Sequence, residues 1–103
     1  MKQVIPHDLD LPTAKRVAEL AFEAYKSRFP EYRPTFRWAS ERQADVGFNA
    51  KGLQLDGAMR IEDKAIELDL DVPLLLRPFR KIALDVIERE VRVWLDKAKS
   101  GAI

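Results

Sequence analysis

The stretch Ile66-Glu67-Leu68-Asp69-Leu70-Asp71-Val72, then Pro73-Leu74-Leu75-Leu76-Arg77-Pro78, then a helical pattern from Phe79 to Ala98, decides the fold. Its first seven residues alternate apolar and acidic side chains. As a strand they turn Ile66, Leu68, Leu70 and Val72 to one face and the three carboxylates to the other. Two prolines bound the hinge that follows. At about 100° per residue, Ile82, Ala83, Val86, Ile87, Val93 and Trp94 share a central band of the helix, and Leu84, Val91, Leu95 and Ala98 extend it on one side. The apolar arc spans roughly 220°, where packing on one sheet needs roughly 100° or somewhat more. Two readings of the surplus stay open: a core helix clamped between a sheet and another helix, or a helix that gives part of its surface to a second copy of the chain. Glu90 interrupts the apolar band and needs a partner or an exit to water.

Working outward, composition bounds the class. The 103 residues suit a single domain, 1–103, with a modest core. With 47% hydrophobic and 34% charged residues, the chain reads as folded and soluble. A formal net charge of +1 supplies no global field toward nucleic acid. The absence of cysteine removes disulfides, thiol nucleophiles and zinc–thiolate sites, and is compatible with the cytosol. No apolar run approaches a membrane span, and Met1 to Pro6 lacks the apolar core of a signal peptide, so a cytoplasmic location is expected.

From the N-terminus, Lys2 to Ile5 reads as an edge strand closed by Pro6, which has no N–H for a ladder. His7, the only histidine, lacks an obvious nucleophile or orienting partner, and reads as a capping or core-edge residue. Asp10 and Pro12 start a helix over about Leu11 to Arg28, with Ala14, Val17, Ala18, Ala21, Phe22 and Tyr25 inward. Pro30 ends it. Four strands follow: Thr35–Ala39 with Phe36 and Trp38 on one face; Ala44–Ala50; Leu53–Ile61 across a Lys51-Gly52 hairpin; and Ala65–Val72. Gly57, on the inner side of the third, suggests a bend, a bulge or the close approach of a helix. Connections this short make an antiparallel meander.

The predicted outer face carries Asp45, Asp56, Glu67, Asp69 and Asp71 with Arg37 and Arg60. Carboxylates two apart on a strand sit roughly 6.5–7 Å apart, too splayed for a shared divalent ion, so cross-strand ion pairs are expected and a metal site is not. The chain has no GxSxG, HExxH, P-loop or GxGxxG motif, and Ser27, Ser40 and Ser100 lack catalytic partners. No catalytic residue, cofactor or enzyme activity is expected.

The hinge is the remaining candidate. Leu74, Leu75 and Leu76 beside Phe79, Arg77, Arg80 and Lys81 suit an anionic or amphiphilic surface, or else the leucines plug the end of the core. His7-x-Leu9, the alanine-rich helix, Trp38, Phe48, Gly52, Gly57 and Leu68-x-Leu70-x-Val72-Pro73-x-Leu75-Leu76-Arg77-Pro78-Phe79, with Ile87-Glu88 and Leu95, give a pattern over about residues 3–98. It resembles the small bacterial polyhydroxyalkanoic acid system family. The resemblance implies a role in the synthesis, coating or regulation of polyester granules and transfers no catalytic residue. The strand-to-long-helix ending is also similar in architecture to helix-grip proteins of the START-like kind.

The expected fold is α+β in the order β-α-β-β-β-β-α, a curved antiparallel sheet with two helices on one face. The expected function is a granule-associated accessory protein that binds the granule surface or a granule protein through the hinge. A small hydrophobic-ligand binder is the alternative, with a cavity lined by Trp38, Phe48, Met59, Val86 and Trp94. A homodimer through the C-terminal helix is a third.

Overall fold

The computed structural model describes residues 2–50, 52–71 and 80–102, with the side chains of all but residues 50 and 80–84. Its elements are β1 (Lys2–Pro6), α1 (Leu11–Arg28), a short 3-10 turn (Pro30–Tyr32), β2 (Thr35–Trp38), β3 (Gln43–Ala50), β4 (Leu53–Ile61), β5 (Ala65–Asp71) and α2 (Arg80–Lys99). The order is the predicted one. All strand pairs are antiparallel, in one open sheet ordered β1-β5-β4-β3-β2.

The period-2 pattern sets the register. Ile5 faces Ile66, Ile61 faces Ile66 from the other side, and Met59 pairs with Leu68 and Ala44. One face of the sheet is thereby apolar across all five strands. Both helices cover it: Ala14, Val17, Ala18 and Ala21 of α1 and Val91 and Leu95 of α2 are buried with Ile5, Phe48, Leu55, Met59, Ile61, Ile66, Leu68 and Leu70. The alanines let the α1 backbone come close to the sheet, as their spacing predicts.

The ends of α1 are set by local chemistry. Asp10 Oδ1 accepts the Thr13 N–H at 2.8 Å. The Thr13 side chain, then its N–H, holds the Asp10 carboxyl below its ordinary range. Phe29 follows the last turn, its N–H on the Tyr25 carbonyl at 2.8 Å, and Pro30 cannot continue the helix. At the sheet edge, His7 N–H bonds the Lys64 carbonyl at 2.9 Å. Alternation of bonded pairs from there turns the backbone groups of Lys2, Val4 and Pro6 to the free side of β1. The missing N–H of Pro6 therefore costs no ladder bond, and it blunts an open edge.

Two expectations need correcting. Gly57 is required by the neighbouring strand, not by a helix: a Cβ there would stand 2.4 Å from the Asp69 carbonyl oxygen and 2.7 Å from Leu70 Cδ2. The buried line of α2 runs through Ile87, Glu90, Val91, Trp94, Leu95 and Ala98. Val93, placed by periodicity in the central band, is 42% exposed. The reason is that α2 meets the sheet on one side and α1 on another, so its buried arc is rotated toward the pair of them.

Candidate functional site

Residues 74–77 and 79 of the predicted surface site lie outside the described residues. Arg80 and Lys81 form the first turn of α2. What can be built is the ground on either side: Leu70, the last inward residue of β5, and Ile87, the first described apolar residue of the inner line of α2, both border one cavity.

That cavity lies between α1, α2 and the sheet. Ala21, Tyr25, Phe36, Phe48, Met59 and Val91 contribute to its lining. Its volume of about 50 Å³ is far below the roughly 300–1,000 Å³ of ordinary ligand pockets. Of the five residues predicted to line a ligand space, Phe48 and Met59 border this cavity, and Trp38, Val86 and Trp94 do not. Trp38 is taken up by Phe36, edge-on at 5.2 Å, and by Lys15, whose ammonium sits 4.5 Å from the indole. Trp94 turns its ring to Lys97 at 4.2 Å and its N–H to Glu90. The two tryptophans are thus engaged outside the cavity that they were expected to line.

Among the described residues Glu90 is the one carboxylate in the wall. It is 7% exposed. One oxygen accepts the Trp94 Nε1–H at 3.3 Å, and the other pairs with Arg28 at 3.1 Å. The need for a partner was legible in the sequence. The partner was not, because Arg28 lies in the last turn of α1 and only the packing of the two helices brings it there. Arg28 is itself exposed, so the pair runs from the cavity wall to solvent. From Arg80 to Glu90 is about 15 Å of helix at 1.5 Å per residue, so the first turns of α2 lie beyond this tie to the end of α1. Tyr25, beside the cavity and against Phe29 and Phe48, has its phenol pushed up to about 12, chiefly by burial, with Tyr32 and Glu31 adding to it.

His7 is 6% exposed. Its Nδ1 accepts the Leu9 N–H at 3.1 Å, which leaves Nε2 to donate to the Glu62 carbonyl at 2.8 Å. Nε2 joins the end of β1 to the β4–β5 turn and Nδ1 holds the connection to α1, the core-edge role read from sequence. On the outer sheet face, Lys2 pairs with Glu67 at 3.4 Å and Arg37 with Asp45 at 3.7 Å. Arg60 donates across the sheet to the Gln43 side-chain oxygen at 3.3 Å and finds its carboxylate in Glu62, at 3.7 Å, beyond the end of its own strand. Exposed pairs of this kind are worth roughly 0–1 kcal/mol each. Among the described residues no three His, Asp or Glu side chains are grouped to hold a metal ion, and no helix is long and apolar enough to cross a membrane.

Residues 4–98 match the model of a family described as putative polyhydroxyalkanoic acid system protein. No curated protein matches.

Proposed function

Because the chain belongs to the polyhydroxyalkanoic acid system family, we propose that it is a non-enzymatic accessory protein that works at the polyester granule. It binds the granule surface or a protein already there and needs no cofactor. The family match over residues 4–98 carries this reading. The composition of the hinge supports the means: Leu74, Leu75, Leu76 and Phe79 for apolar contact, with Arg77, Arg80 and Lys81 beside them. A small-ligand role has no comparable support: of the five predicted pocket residues, Phe48 and Met59 border the cavity of about 50 Å³ and the other three do not.

The test is co-sedimentation with isolated polyester granules. Leu75→Ser with Leu76→Ser is expected to lower affinity for the granules roughly a hundredfold or more, as two buried leucines are worth roughly 1.5–3 kcal/mol each. Circular dichroism checks that the variant is folded. Full binding by a folded double variant would remove the hinge from the contact. A wild-type chain that stays in the soluble fraction of granule-bearing cells would remove the granule from the function.

A further inference from the structure

The charges of this chain are sorted by layer. α1 carries four cations and two carboxylates, and α2 six and four, which gives the helix layer a formal +4. The five strands carry three cations and five carboxylates, a formal −2. Strand alternation puts all eight of these charges on the sheet face turned away from the helices.

Among the described residues, the helix side also shows an apolar row that the core does not use. Val93 is 42% exposed. Val86, two turns earlier and nearly in line with it, is half-buried and is not among the residues packed on the buried cluster. Arg89 stands between them and Lys97 one turn beyond, both exposed. Val91 and Leu95, on the far side of the helix, are buried, so the row looks away from the sheet. Asp85 and Asp96 share the exposed half of α2. The attraction therefore comes from the cation excess of the whole layer.

We infer that the chain docks on an anionic amphiphile layer through its helix side, with Val86 and Val93 entering the apolar boundary, Arg89 and Lys97 meeting head groups, and the acidic sheet face turned to water. The inference rests on the granule-surface reading and adds the face and the chemistry of the surface. An uncharged apolar surface would make no use of the charge sorting. A layer of negative head groups over apolar chains uses both the cations and the valines.

The experiment is co-sedimentation of the full chain with vesicles of phosphatidylglycerol mixed into phosphatidylcholine, against vesicles of phosphatidylcholine alone. Binding to the anionic vesicles only, weakened by salt, is the expected result. Arg89→Gln and Lys97→Gln are each expected to lower affinity roughly fivefold. Val93→Asn is expected to lower it too, and Asp45→Asn on the sheet face to leave it unchanged. Equal binding to both vesicle types would overturn the inference, as would helix-layer variants that bind like wild type. A chain that sediments with granules but with neither vesicle would overturn it and leave the granule reading standing. A chain that binds anionic vesicles but not granules would uphold the docking face and overturn the granule as its destination. A dimer in light scattering that Val93→Asn converts to a monomer would assign the row to a second copy instead.

Discussion

At the scale of single residues, Gly57 and Tyr25 give the sharpest consequences. A methyl group at Gly57 would meet the backbone oxygen of Asp69 and the side chain of Leu70. The backbone of a paired strand cannot step aside as a flexible side chain can. Gly57→Ala is therefore expected to destabilise the fold by about 1–3 kcal/mol, the usual range for overpacking, read as a lower urea midpoint at unchanged slope. Tyr25 titrates at about 12 in the folded chain against an ordinary 10.0. The unfolded chain therefore gives up this proton first as pH rises. The stability linked to the neutral phenol is fully present below pH 10 and is lost as pH climbs toward 12. Denaturation of wild type and Tyr25→Phe across that window is expected to show the loss in wild type and a smaller one in the variant.

At the scale of elements, the tie between the helices matters most. Glu90 is buried in an apolar wall, and its charge is met by one exposed guanidinium. Removing Arg28 leaves the carboxylate with only the indole donor. Arg28→Ala is expected to cost about 1–3 kcal/mol, the penalty for an incompletely satisfied buried group. Adding Glu90→Gln in that background is expected to restore part of it, because the amide keeps an acceptor for Trp94 without the charge. Additive losses in this double-mutant cycle would show that the two side chains are not coupled. A second tie acts at the sheet edge, where the Gln3 amide donates to Glu88, and Arg92 donates to the same carboxylate at 3.1 Å. The amide, then the guanidinium, hold the Glu88 carboxyl below its ordinary range. The two ties lie on opposite sides of α2, one to α1 and one to β1, and so fix its rotation.

At the scale of the whole molecule, the same alternation that builds the core also sorts the charge. Apolar positions of the strands go under the helices and their charged positions go to water, so a nearly neutral chain becomes two-faced. The vesicle experiment reads this property directly, because a substitution on one face should matter and one on the other should not.

The sequence by itself determined the number and order of the strands and α-helices, most of their boundaries to within one residue, and which side of each strand is buried. Periodicity, capping residues and prolines act over a few positions and need no knowledge of the rest. His7, with Leu9 two residues on, was legible for the same reason. Only the tertiary structure decided how α2 is rolled, that Arg28 answers Glu90, that β5 rather than a helix demands Gly57, and that Trp38 and Trp94 stand outside the cavity they were expected to line. Each of these depends on two elements distant in sequence meeting at one place. A helical pattern with an arc wider than one contact cannot say which part faces the sheet until the second helix has taken its side.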